Sequence, residues 1–354
     1  MYRKIGKIVT GCLLSAFFLC TIYIAALKFF SNEDENKVIP SSENPFKNQK
    51  IEKILNPLTG LELVSKKKDI RPIAIMINNI NKAQPTLGTS MADIIYEIPV
   101  EGGITRLMAI YQDPQKEKVI GSIRSARPYY IDIAKGHDAI YVHIGGSSDA
   151  DRILKSDTID HFNLGSFSNM MWRDQNRRAN LGFEHSAVTS GQKLVDGIIR
   201  NGTRFQIDKN KVSFQAFDNN SQVLNGKDTK ELAVKFSGYK NTSFNYNEEK
   251  GNYLVSQFNE KQMDGQYNCQ VERKNVVVLK TKIHDINGSG LKDVELKKGQ
   301  GIYMGGGKSI DINWKKSKEG ASFEYSTKEG QDLLMIPGNI YVCVASESSE
   351  ISMK

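Results

Sequence analysis

Ten of the chain's twelve arginines fall between Arg71 and Arg204, and four of its five histidines fall between His137 and His185. Arginine carries a planar, permanently charged fork of donors that suits bidentate grip on carboxylate or phosphate, so this span is where chemistry is sought. Three strings concentrate the signal: Glu101-Gly102-Gly103-Ile104-Thr105-Arg106, Ile123-Arg124-Ser125-Ala126-Arg127-Pro128, and Trp172-Arg173-Asp174-Gln175-Asn176-Arg177. Arg106, Arg124, Arg127, Arg173 and Arg177, with His185 after the third string, are the candidate ligand-binding side chains. Gly145, Gly146 and Ser147 join them: they follow an apparent strand, and a helix start beside glycines leaves amides pointed at an anion. Internal ion pairing with the acids of the same span is the competing explanation for the arginines.

Asp93, Glu97, Glu101 and His143 are the candidate catalytic groups. Glu97 and Glu101 stand four apart around a bend, and two carboxylates can serve as acid and base if the fold sets the separation. His143 alternates with Val142 and Ile144, so it faces the opposite side and is either a ligand-facing base or an internal histidine. Gly305-Gly306-Gly307-Lys308-Ser309 invites comparison with a phosphate-binding loop. That pattern needs glycine at the position of Ile302 and a following helix, whereas Ile310, Ile312 and Trp314 alternate like a strand, so a hairpin turn is expected.

The elements that must position these residues read as follows. Ile73–Ile77, Ile94–Ile98, Leu107–Tyr111 and Ala139–Ile144 are rich in Ile, Val and Tyr and predict strands; Pro128–Ala134, Ser148–Leu154 and Gly191–Ile199 predict helices. Short runs between Gly, Asn and Asp turns follow, from Phe244–Tyr246 to Ile340–Val344. The expected class is α+β: an N-terminal mixed α/β domain over 56–205, a linker and entry strand over 206–230, and a mainly antiparallel β domain over 231–346. Ahead of them stand an anchor or signal segment over 1–30 and a tether over 31–55.

Arg3, Lys4 and Lys7 precede an apolar run from Ile8 to Leu27. Twenty helical residues span about 30 Å, one bilayer core, and the basic flank favours a cytoplasmic N-terminus with the remainder exported. A cleaved signal peptide and a lipidated Cys12, in Val9-Thr10-Gly11-Cys12, are the alternatives; for lipidation the apolar run falls on the wrong side of the cysteine. Four bases and no acids lie in residues 1–30, so the net charge of +8 falls to +4 beyond them. That mild excess, with no zinc-finger or RNA-binding motif, argues against nucleic acid as a partner. No metal cluster and no cofactor is expected. Cys269 and Cys343, the cysteines beyond the anchor, are open to a single disulfide or to two buried thiols.

Asn56-Pro57-Leu58-Thr59-Gly60, Arg71-Pro72-Ile73-Ala74, Ala92-Asp93-Ile94-Ile95-Tyr96-Glu97, the Glu101–Arg106 and Ile123–Arg127 strings, and His143-Ile144-Gly145-Gly146-Ser147 together resemble the YerB-like family of two-domain, membrane-attached lipoproteins of Gram-positive bacteria. The resemblance covers residues 56 to 345 and implies an extracytoplasmic envelope protein, α/β then β. Members are often lipidated at a cysteine, whereas this N-terminus reads as a membrane span. In the second domain members often carry an arginine and a histidine where this chain has Val255 and Met263, so the resemblance gives no support here to a site shared between domains. A looser analogy links Asp93, Arg124 and Arg127 to the Asp and arginine layout of LytR-CpsA-Psr envelope phosphotransferases, and layout alone does not establish function.

The resulting expectation is a cell-membrane protein with extracytoplasmic domains that binds an anionic ligand through the arginines. The partners expected are an anionic wall polymer, a lipid-linked precursor or an envelope protein, and the role is accessory to envelope assembly. The alternative is a phosphoryl-transfer or hydrolytic enzyme acting on a polyprenyl-phosphate or wall polymer, with Asp93, Glu97 or His143 as base or metal ligand.

Overall fold

The computed structural model describes residues 53–63, 69–156 and 158–354. The expected anchor, Cys12 and the tether up to residue 52 lie outside the described residues. Residues 53–55, assigned to the tether, instead belong to the folded unit that runs from Lys53 to Lys354: Leu55 bridges Glu62, and Leu63 donates to the Ile54 carbonyl.

One sheet of eleven strands organises this unit. Its N-terminal side runs Ile94–Pro99, Thr105–Tyr111, Ile73–Asn79, Ile140–His143, His161–Asn163. The first three pair antiparallel and the last three parallel. The C-terminal side continues from Ile94–Pro99 through Ile340–Ser346, Asn275–Thr281, Lys298–Gly305 and Lys308–Lys315. Two of those junctions are parallel: Ile340–Ser346 pairs that way with both Ile94–Pro99 and Asn275–Thr281. The two sequence halves are therefore welded edge to edge, and the expected linker interrupts the chain without interrupting the sheet. The C-terminal part is otherwise mostly antiparallel. Gly306 and Gly307, both at positive φ, form the hairpin turn expected in place of a phosphate loop.

Alternation in the strands sorts the core. Ala74, Met76, Tyr96, Ile98, Met108 and Ile110 face one side, where the helix Pro128–Gly136 covers them. Ile73, Ile75, Ile77, Ile95, Leu107 and Ala109 face the other, against Leu194 and Ile198 of the helix Gly191–Arg200. A sheet buried on both faces explains why its strands read as nearly continuous apolar runs. Residues Phe244, Tyr253 and Val255 of a second, six-stranded sheet pack on that same second face.

Helix starts follow local chemistry. Pro128 takes the first position after Arg127, Ser147 accepts from the Ala150 amide at 3.3 Å, and Asp174 accepts from the Arg177 amide at 2.8 Å. The last of these opens Gln175–Leu181, a helix within the third arginine string that the apolar periodicity does not reveal. No helix among the described residues is long and apolar enough to cross a membrane. Cys269 is exposed and Cys343 buried, and neither is bonded to the other.

Candidate functional site

Arg106 opens the strand Thr105–Tyr111, directly opposite Asn78 and Ile98 at the carboxyl end of the parallel strands. The segment 122–127 crosses that end: the Arg124 amide donates to Met76 O, Ile144 donates to Arg124 O, and Ala126 donates to Gly145 O. Crevices outside the carboxyl ends of strands are where open α/β sheets place ligands. The first two arginine strings and the glycine turn thus meet at one edge of the sheet.

Within that edge the candidates divide into two groups. In the first, Arg106 Nη2 donates to Glu101 Oε1 at 2.8 Å, and Arg127 donates to both Glu101 oxygens, through Nη2 and, at 3.1 Å, through Nε. The remaining nitrogens are turned to the chain, Arg106 Nη1 to Ser125 O at 2.8 Å and Arg127 Nη1 to Ala126 O at 2.7 Å. Both guanidinium groups are buried while a third of the Glu101 side chain is open to solvent. Burial alone would raise the Glu101 carboxyl, but the Arg127 hydrogen bond and the Arg106 charge outweigh it and hold it below the usual range.

In the second group Arg124 meets Glu184 at 3.0 Å, and Asn78 Nδ2 lies 2.9 Å from His185 Nδ1. Arg173 lies over the Phe183 ring at 3.8 Å and donates to Phe183 O. Arg177 is buried and donates to the carbonyls of His185, Pro85 and Ala83. It is a loop brace, and its expected role on a ligand is corrected: all three nitrogens are turned onto backbone carbonyls of the loops and the side chain is buried. Internal pairing therefore accounts for part of the arginine excess.

The glycine turn is also largely engaged. Gly145 N donates to Asn163 Oδ1 at 3.2 Å and Ser147 N to Ala126 O, so these amides brace the turn. Gly145 adopts φ +65, a region that favours glycine.

The proposed acids and bases fare differently again. Glu97 is fully buried: it meets Lys240 Nζ at 2.9 Å and accepts from Asn79, Thr105, Thr242 and Tyr341. Such a carboxylate holds the two halves together and cannot touch a ligand, which corrects its expected catalytic part. His143 Nδ1 donates to Gly145 O at 2.8 Å, which leaves Nε2 to accept from His161 Nδ1 at 3.0 Å. Burial, only partly offset by the Gly145 carbonyl, pulls its pKa down to about 4. It is a neutral internal histidine with both nitrogens engaged, not a base. Asp93 lies at the other end of its strand, five residues before Ile98, roughly 16 Å from the Arg106 level at the usual strand rise. Its carboxylate accepts from Asn56 at 2.7 Å and from the Gln112 amide at 2.6 Å, and burial raises its pKa to about 6. The Asp and arginine layout of the phosphotransferase analogy is not assembled.

Sequence reasoning missed Tyr141, Lys240, Asp264 and Arg273. Asp264 accepts from the Gly88 and Ser90 amides, and Arg273 donates to the Thr89 and Ser90 carbonyls, fastening a loop of the first half to the second. These contacts join residues more than 170 apart, which no local pattern announces. A cavity of about 650 Å³ lies elsewhere, lined by Arg71, Lys135, Asp138, Arg204 and residues of 317–324. Among the described residues no group of three or more His, Cys, Asp or Glu side chains is placed to hold a metal ion.

Two family profiles, described as protein of unknown function (DUF3048), N-terminal domain and C-terminal domain, match residues 58–204 and 232–342. The "Putative lipoprotein YerB" of Bacillus subtilis (strain 168) is 28% identical over 306 residues, 85% of this chain and 89% of that protein. The crystal structure of YerB from Bacillus subtilis superposes with a TM-score of 0.75 at 27% identity, over 85% of this chain and 100% of that one. With both profiles matched in order over one continuous fold, the chain belongs to the YerB-like, DUF3048 family.

Proposed function

We propose that the protein is an extracytoplasmic, membrane-attached envelope protein that binds an anionic group at the edge formed by Arg106, Arg127 and Arg124. The basic flank and apolar run of residues 3–27 and the word lipoprotein in its relative's name support the location. One observation carries the binding role: Arg106 and Arg127 converge on a single carboxylate oxygen at the sheet's carboxyl edge. Two forks on one oxygen form an anion site in kind, here with an internal occupant. Ser125 and 144–147 keep the surroundings half-open. The second half, 231–346, braces the site and offers a face to another envelope component.

Binding is favoured over catalysis because the one carboxylate beside the arginines, Glu101, is tied up by both of them and held below the usual range, while Asp93 is a strand length away and His143 has both nitrogens engaged. The role is accessory to wall or anionic-polymer assembly, the partner being a wall polymer, a lipid-linked precursor or an envelope protein. A binding screen with teichoic-type polymers, polyprenyl phosphates and wall fragments tests it. Arg124→Ala, whose side chain is a quarter exposed, should weaken the hit about three- to tenfold, the range for one charge-assisted contact at a partly solvated site. Unchanged affinity would remove Arg124 from the site.

A further inference from the structure

The Glu101 carboxylate stands where a ligand's oxygens would stand. It sits at the start of a three-residue turn whose next two members, Gly102 and Gly103, both adopt positive φ near +68 (67 and 69), and no atom lies within 4 Å of where a Gly102 Cβ would be. The far side of the turn is held by a hydrogen bond from the exposed Tyr239 hydroxyl to Gly102 O. The carboxylate is therefore the part of the site nearest solvent, carried on a turn with open space beside it, while the guanidinium groups are fixed from behind by Ser125 O and Ala126 O.

A second observation comes from Tyr141. Its strand neighbour on the same face is His143, whose ring stacks on it at 5.4 Å. The Tyr141 hydroxyl is fully buried, faces the Arg127 backbone amide within the fields of Arg106 and Arg127, and donates to no acceptor. A buried hydroxyl proton without an acceptor is costly, so an unused donor beside two arginines calls for an acceptor. The Glu101 carboxylate takes three bonds from the two guanidinium groups and none from Tyr141. A tetrahedral oxyanion on the same two arginines offers a further oxygen in a third direction.

We propose that Glu101 is an internal cap on a phosphoryl-group site: a ligand phosphate displaces it, taking Arg106 Nη2 and Arg127 Nε and Nη2 on two oxygens and the Tyr141 hydroxyl on a third. This rests on the reading of Arg106 and Arg127 as an anion site and adds to it the ligand's geometry and a built-in competitor. Capping sets a threshold: weak or monovalent carboxylates do not outcompete a tethered carboxylate, whereas a dianionic phosphate does. A phosphomonoester and a phosphodiester share the required oxygens and differ in charge.

The test is calorimetric titration of the full chain in detergent with inorganic phosphate, dimethyl phosphate and acetate. Glu101→Gln is expected to bind inorganic phosphate at least about tenfold more tightly than the unsubstituted protein, the scale of one removed like charge at close range. Tyr141→Phe placed on that background should weaken phosphate and leave acetate unchanged. Dimethyl phosphate binding as tightly as inorganic phosphate identifies a diester source, and weaker binding a monoester; either supports the site. Equal phosphate affinity with and without Glu101→Gln, abolished in both by Arg127→Ala, overturns the cap and leaves the anion site standing. Phosphate binding indifferent to Arg127→Ala overturns both. If Glu101→Gln does not fold, Glu101→Asp, which keeps the charge but shortens its reach, should also bind phosphate more tightly, and equal or weaker binding overturns the cap.

Discussion

Lys240→Met is expected to lower the free energy of unfolding by about 3–5 kcal/mol, the usual cost of stranding one partner of a buried ion pair. Lys240 and Glu97 are both fully buried, 2.9 Å apart, with Lys240 also donating to Thr242 Oγ1 at 2.8 Å and Gln257 Oε1 at 3.0 Å. Glu97 belongs to the first half of the chain and accepts from Thr242 and Tyr341 of the second, so the pair is the polar rivet across the sheet junction. Burial pulls the Lys240 ammonium down, and the Glu97 charge restores part of it. Removing the lysine leaves a carboxylate with four neutral donors and no counter-charge. Glu97→Leu should cost a similar amount, and the double substitution less than the sum, because neither charge is then left alone. Urea unfolding of the four proteins measures this. Additive single effects, or a loss under about 1 kcal/mol for Lys240→Met, would contradict a buried pair of this kind.

The second large effect is on acid stability. Burial lowers His137 and His143 to about 4, against an ordinary 6.5. Each is neutral in the folded state while its unfolded counterpart protonates, so the stability each supplies is complete above pH 6.5 and is lost as pH falls to about 4. Each such shift is worth roughly 3 kcal/mol at most. Asp93 works in the opposite sense. Its pKa is raised from 3.8 to about 6, so acidification through that window relieves a buried charge and returns part of the loss. Glu101 and Asp138, held below the ordinary carboxylate range by their arginines, add a further loss at lower pH. The net expectation is a fall of about 4 kcal/mol between pH 6.5 and 4, from the two histidines less the one aspartate. Unfolding free energies at intervals across that range check it, and His137→Gln should flatten the slope. A stability that holds level or rises on acidification from 6.5 to 4 would mean that the histidines are not buried neutral.

The elements were largely legible in the sequence and their pairing was not. The helix Ser148–Leu154 has the limits its cap and apolar spacing announce, and the strands from Ile73 to Tyr341 begin within a few residues of their apolar runs. These are local signals. The parallel pairing of Ile340–Ser346 with Ile94–Pro99 joins residues some 246 apart, as in Ile94 with Ile340, and leaves no local trace. For the same reason the sequence suggests an α/β domain followed by a β domain, and gives no sign that one sheet runs through both. In the site, the proximity of Arg106, Arg124 and Arg127 follows from strings that end strands and begin a helix. Arg177 could not be told from them by type alone, because a guanidinium on three carbonyls and one facing a ligand look alike in sequence. The Asp174 cap just before it was the available clue. Glu97 and Glu101 illustrate the limit: four residues apart, one is a buried rivet and the other a half-open cap, because strand alternation and the glycine turn send them to different faces.

In the proposed site the Arg106–Arg127 pair, and not the bulk positive charge of the chain, holds the anion. Titration of inorganic phosphate into the unsubstituted protein, Arg127→Ala and Lys308→Ala at matched ionic strength tests this most directly. Lys308 is a surface lysine on the far side of the sheet order, paired with exposed Asp228 at 3.0 Å. Binding that is lost in Arg127→Ala, by about a hundredfold for a bidentate charged contact, and kept in Lys308→Ala is the predicted result. Equal affinity in all three proteins would contradict it.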